Sequence, residues 1–321
     1  MPRPLGRRLA GRLAMAQRRV LGRWATPGII RSRYRRHTAR TLDARHPLTM
    51  TDKVYARMLL MDRARDDSIT PLVDKLLVRR TVAALVGAEH LPPLLWSGAD
   101  PHSIPFDALP SPAVLKPTHL TGHVRVLTEA TDRTEIIRDA GGWLRENCYR
   151  ASREYQYQNI EPRLMIEHCL RDDRRDGPID YSLWCFHGTP ELLQVRDARG
   201  SVRAFTDLEL RPLDVYGPHT PLTAHLRPRS LPRMAELARV LSAPFEFVRV
   251  DFYDIDGHPL VGELTFTPAR GRFRFSSDDW DRRLGFLWRF DPTTPVLPPT
   301  APDSYRPHLL PPLPQDGLSA D

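Results

Sequence analysis

Between Phe247 and Phe252 polar and apolar residues alternate with a period of two: Arg249 and Asp251 fall on one side, Val248, Val250 and Phe252 on the other. That is the pattern of a half-buried strand. The alternation returns after Asp254-Ile255-Asp256-Gly257, with Glu263 and Thr265 set against Gly262, Leu264 and Phe266. Turn composition between two β-branched and aromatic runs predicts a hairpin. Asp251 and Glu263 share a face only if the connection is odd in length or carries a bulge, and a three-residue loop with Gly257 left-handed meets that condition. Two carboxylates about 4 Å apart repel by about 4 kcal/mol at an effective dielectric near 20, which a divalent cation would relieve. The plainer alternative is an edge hairpin whose acids face water.

Elsewhere the pattern predicts a helix over 49–66 that exposes mixed charge, and further helices from Asp74 to a stop at Gly87, from the capping sequence Asp132–Glu135 to about Asn147, over Leu231–Leu241 and over Asp278–Phe290,. Strands are expected at Ala113–Leu115, Val124–Leu127, Arg163–Leu170, Tyr181–Phe186, Glu191–Arg196 and 202–208. The loop Lys116–His123 joins two strands and carries small residues, so its backbone N–H groups suit anionic oxygens. His119 and His123 are four apart, but Pro117 and Gly122 argue against the helix a zinc pair would need, and polar loop histidines are the simpler reading. The end of Arg163–Leu170 runs into an acidic loop, offering backbone groups to a base and a carboxylate to a ribose.

Residues 1–40 place Leu5, Leu9, Leu13, Ala16, Val20 and Trp24 at helical spacing among arginines. This suits peripheral contact with an anionic membrane; a disordered basic tail or a partner-docking helix is the alternative. Those forty residues carry no acid, so the formal charge of +8 overstates the basicity of the rest. Binding of nucleic acid is therefore not expected. No apolar run reaches eighteen residues, and Cys148, Cys169 and Cys185 form no C-x-x-C spacing. Buried thiols of a reducing, cytoplasmic compartment follow, at most peripheral to the inner face of the membrane. Of 47 basic residues only Lys53, Lys75 and Lys116 are lysine. A lysine kept amid so much arginine hints at a need for a compact point charge.

Several stretches in fixed order carry a resemblance: DKLLVR at 74–79, LPPLL at 91–95, VLKPTH at 114–119, SREYQYQNI at 152–160, PRLMIEHCL at 162–170, YSLWCFHG at 181–188 and FVRVDFY…GELTFTP at 247–268. From Asp74 to about Phe290 the chain resembles the TupA-like ATP-grasp family, found in bacterial teichuronopeptide and polysaccharide loci. The resemblance implies an α+β ATP-grasp fold, two subdomains with antiparallel sheets gripping ATP between them. Its expected boundaries are a basic segment at 1–48, an ATP-grasp domain at 49–290 (subdomains about 74–168 and 169–290) and a proline-rich disordered tail at 291–321.

Carried over by position, the resemblance makes Lys75 and Lys116 the phosphate-contacting lysines, with His119, Thr121 and Gly122 in the phosphate loop. Glu167 and the backbone at Cys169 and Leu170 would meet adenine, and Asp172 the ribose. Asp251, Glu263 and Thr265 would hold Mg²⁺, Thr265 standing where many ATP-grasp enzymes have asparagine. Arg249 would face the γ-phosphate or an acyl intermediate. The implied activity is ATP-dependent ligation of a carboxylate to an amine through an acylphosphate, on an envelope polysaccharide or its precursor. A non-catalytic nucleotide-binding role in envelope assembly and a sugar kinase are the competing readings. The chain departs from the family at His119-Leu120-Thr121-Gly122, usually close to H-G-S-G, at Ser182, often basic, and at Pro268-Ala269-Arg270-Gly271, usually P-G-S-G.

Overall fold

The computed structural model describes residues 25–173, 177–197, 203–217 and 222–313. Residues 25–38 form a helix, α1. It is followed by α2 (Met50–Ala64), α3 (Thr70–Val73) and α4 (Val78–Val86). A smaller sheet contains β1 (Leu94–Gly98), β2 (Ala113–Pro117), β3 (Arg125–Leu127) and β4 (Leu164–His168), in the order β1-β4-β2-β3. Between β3 and β4 lie α5 (Arg133–Trp143) and α6 (Cys148–Ser152). The larger sheet runs β10-β9-β5-β6-β7-β8, from β5 (Ile179–Phe186), β6 (Thr189–Asp197), β7 (Arg203–Thr206), β8 (Pro212–Leu213), β9 (Phe247–Ile255) and β10 (His258–Thr265). Every pairing in both sheets is antiparallel. Two further helices are α7 (Leu231–Ser242) and α8 (Asp278–Leu287).

Period-two alternation decides what each face of the larger sheet meets. Tyr181, Leu183, Val248, Val250 and Phe252 face Met234, Leu237, Ala238 and Leu241 of α7 in one core. Trp184, Phe186 and Phe247 face Met50, Val54 and Met58 of α2, with Phe273 and Trp288, in a second, aromatic core. The smaller sheet buries Leu115, Leu164 and Ile166 against Ile136, Ala140 and Trp143 of α5.

Three expectations change. The helix at 49–66 was expected to show mixed charge to solvent, yet α2 is buried along most of its length. Arg57 donates to Phe247 O at 2.8 Å and Phe266 O at 3.1 Å, and lies 4.1 Å from the Trp288 ring centroid. Lys53 donates to Gly285 O at 2.7 Å and to Trp288 O, closing the end of α8. The compact charge hinted at by lysine usage is here a helix cap. Second, residues 25–48 are part of the body: Ile30, Tyr34, Leu42 and Ala44 are buried in the aromatic core. The membrane-facing pattern at Leu5–Trp24 lies outside the described residues. Third, residues 291–313 pack against the body, with Leu297, Ala301 and Tyr305 buried beside Phe245. Proline-rich composition misleads here because a few deep apolar anchors suffice to hold a chain that proline has already stiffened.

Cys148 and Cys185 are buried and unbridged, and Cys169 is half-buried. Among the described residues no helix is long and apolar enough to cross a membrane.

Candidate active site

The site starts from the hairpin β9–β10. Its turn has two residues, Asp256 (φ 53°) and Gly257 (φ 86°), both left-handed as the tight hairpin turn requires,. A two-residue turn alone would set Gly262 opposite Asp251. The register instead shifts between Val261 and Glu263, so Glu263 stands opposite Asp251 and Thr265 opposite Arg249. The odd residue is thus a bulge at Gly262, not a three-residue loop, and the two carboxylates share a face. Glycine fits there because a Cβ would lie 3.2 Å from the Tyr253 ring and 3.4 Å from Asp251 O.

Arg249 Nε donates to Asp251 Oδ1 at 2.7 Å, and its Nη2 to Thr265 Oγ1 at 3.2 Å. Thr265 Oγ1 donates to Glu263 Oε1 at 3.0 Å. The side chain of Asp251 is 9% exposed and that of Glu263 40%, so Glu263 is the open member of the pair. Burial lifts Asp251 to about 6 against the pull of Arg249, and the charge of Glu263 adds to the rise. Burial pushes Glu263 up as well, but Lys75 and Arg249 outweigh it and leave its carboxyl below the ordinary value. Arg249 was expected to face a phosphate; in this structure its guanidinium is committed to Asp251, whose pull outweighs burial and keeps the cation charged.

Lys75 enters from the loop between α3 and α4. Its Nζ donates to Leu120 O at 2.7 Å, and its backbone N to Thr118 O at 3.2 Å. Burial lowers its pKa, Glu263 opposes that, and Lys116 reinforces it, so Lys75 lies in the field of both. Lys116, on β2, forms an ion pair with Glu167 on β4, and Arg79 Nη1 donates to the other oxygen of Glu167 at 2.9 Å. Glu167 was expected against adenine. In this structure its carboxylate is held by two cations, because β2 pairs with β4 and sets Val114 opposite Glu167, with Lys116 two residues on. Arg79 was missed; its place in DKLLVR, four residues after Lys75, was the available signal.

His119 is 2% exposed and its Nε2 lies 3.1 Å from Trp143 O, so its ring ties the loop to α5. Burial lowers its pKa, as expected for a neutral ring,. Leu120 is buried in the smaller core, whereas Thr121 and Gly122 (φ 76°) stay exposed at the loop tip. Cys169 and Leu170 are half-buried just past β4. Asp172 is buried beside Asp173 and Asp256, which lets it meet the hairpin turn. A cavity of about 360 Å³ lined by Arg57, Met61, Glu246 and residues 290–296 shares no side chain with this cluster.

Two antiparallel sheets, with Lys75 between α3 and α4, Lys116 on the smaller sheet and an acid pair on the larger, are the arrangement of the ATP-grasp class. The chain belongs to the TupA-like ATPgrasp family, which it matches over residues 53–288. Similar solved structures include D-alanine–D-alanine ligase from Bacillus anthracis complexed with ATP (15% identity, 61% of this chain and 54% of that one, TM-score 0.38). The corresponding ligase from Helicobacter pylori has 17% identity, 68% and 61% coverage, and a TM-score of 0.40. The ATP-grasp ligase PsnB with its minimal precursor has 14% identity, 74% and 68% coverage, and a TM-score of 0.37. The chain spans about half the length of the first of these. No curated protein matches.

Proposed function

We propose that this chain is an ATP-dependent carboxylate–amine ligase. The observation that carries the reading is the opposition of Asp251 and Glu263 across one rung of the hairpin, in the electrostatic field of Lys75. Mg²⁺ takes oxygen ligands from one or two carboxylates and completes its shell with phosphates and water. Asp251 and Glu263, with Thr265 beside them, fit that need, Glu263 through its open side and Asp251 by sharing oxygens with Arg249. The ion would supply charge neutralisation at the β- and γ-phosphates. Lys75 and Lys116 would hold the same phosphates as compact donors. Arg249, released from Asp251, would stabilise charge on the transferred group, so the work of the site is positioning and electrostatics. The acid substrate would take the γ-phosphoryl as an acylphosphate, and the amine would displace phosphate to give the amide. Residues 169–172 would receive the nucleoside. Family membership alone supports an envelope polysaccharide or its precursor as substrate.

Two observations favour a second reading, a nucleotide-binding protein without turnover. Both Asp251 oxygens are engaged by Arg249, and Leu120 anchors the expected phosphate loop in the core where the resemblance leads one to expect glycine. Release of ADP decides between them. With Mg²⁺ and pools of carboxylic acids and amines, a coupled assay should show ADP that depends on all three and disappears in Glu263→Gln. Tight ATP binding with no turnover from any pool would select the second reading.

A further inference from the structure

Beside the carboxylate pair, α1, the middle of α2, the end of α6 and the loop after β10 converge. Tyr55 of α2 is 1% exposed, and its hydroxyl has no hydrogen-bond partner. The loop packs against this ring so closely that a Cβ on Gly271 would stand 2.7 Å from Tyr55 Cδ2. Arg33 of α1 donates to Ser152 O at 2.7 Å and Ala151 O at 2.9 Å, which fixes its guanidinium over the end of α6. Arg153 follows with φ 67°, and its Nε is buried without a partner. Arg270 Nε donates to Glu154 Oε2 at 3.2 Å; Glu154 in turn accepts from Thr267, two residues past Thr265. Among the described residues, Arg33, Arg36, Arg153 and Arg272 make no ion pair with a carboxylate. The groups share one field: after burial, Arg153, Arg270 and Arg272 depress Arg33, while Arg272, Arg33 and Arg36 oppose the rise that burial imposes on Tyr55.

Solvated surface arginines would explain the charge but not the rest. A hydroxyl and a guanidinium N–H withheld from water without partners are costly to bury. An oxyanion would satisfy both and neutralise the repulsion, and arginine forks suit carboxylate and phosphate geometry. We propose that Tyr55, Arg33, Arg36, Arg153 and Arg272 form a subsite for an oxyanion, a phosphate or carboxylate that one of the two ligation substrates carries besides its reacting group. This rests on the ligase reading and narrows its substrate class to an acid or amine with a second anionic group. Arg33 and Arg36 lie outside the stretch matched to the family, so two of the five subsite residues belong to α1.

Isothermal titration of the full chain tests it, with inorganic phosphate in one arm and glutarate in another, each run with and without saturating ADP and Mg²⁺. One anion should bind saturably, and which arm responds distinguishes phosphate from carboxylate. Arg36→Ala with Arg272→Ala should weaken that binding tenfold or more. Tyr55→Phe should weaken it severalfold without lowering the melting temperature, a result that a merely structural tyrosine would not give. Binding of fluorescent ADP should be unchanged in both variants. The subsite is overturned if neither anion saturates, if binding survives the paired substitution, or if it is lost in Lys116→Ala instead, which would put the anion at the γ-phosphate position. Failure of the unsubstituted chain to bind ADP with Mg²⁺ would count against the ligase reading, while the nucleotide-free titration still judges the subsite.

Discussion

Asp251 and Glu263 face each other on one rung yet ionise differently, because burial dominates at the first and Lys75 with Arg249 at the second. A metal ligand must be deprotonated, so Asp251, in its proposed role as a Mg²⁺ ligand, would lose its capacity to bind the cation as pH falls through about 6,. Mg²⁺-dependent binding of fluorescent ADP should therefore weaken by up to about tenfold per pH unit below that point. Comparison with Asp251→Asn, whose profile should lack this inflection, separates the carboxylate from titration of the nucleotide. Lys116 and Arg79 share Glu167 in a buried triad. A bidentate guanidinium cannot replace an ammonium at one oxygen without displacing Arg79, so Lys116→Arg should not restore nucleotide affinity lost in Lys116→Ala, as measured by the same fluorescence titration.

At the scale of elements, α2 and α8 cross so tightly that a Cβ on Gly285 would fall 2.3 Å from Leu48 O and 2.7 Å from Thr49 Cα. Both obstacles are backbone and cannot rotate away. Gly285→Ala should cost about 1–3 kcal/mol in denaturant unfolding, the usual penalty of overpacking. The same crossing lets Lys53 reach the carbonyls that close α8, so loss of the close approach also loosens a buried ammonium. In the loop after β10, Ala269 (φ 53°) and Arg270 (φ 56°) are both left-handed, a conformation that favours glycine,.

For the whole molecule, the segment after α8 is a structural strap. Tyr305 stands edge-on to Phe245 at 5.8 Å, and Leu297 is 4% exposed in the core beneath α7. Leu297→Ala should cost about 2–5 kcal/mol, read as a lowered unfolding midpoint. An unchanged midpoint would show that the strap contributes nothing to the cooperative fold. The strap and α1 flank the family match at its two ends, and both pack on the larger sheet's side of the molecule.

Local pattern alone determined the hairpin's alternation, the helix that begins after Asp132, the helix that stops at Gly87 and the helix over Leu231–Leu241. These follow from nearest-neighbour sterics and backbone hydrogen bonds, which a linear chain displays. Tertiary structure alone decided that a bulge at Gly262 turns Glu263 toward Asp251, that Glu167 is held by Lys116 and Arg79, that His119 is buried against Trp143, and that α2 is buried despite its charges. Those outcomes depend on contacts between residues far apart in the chain, where register and burial energy override local preference.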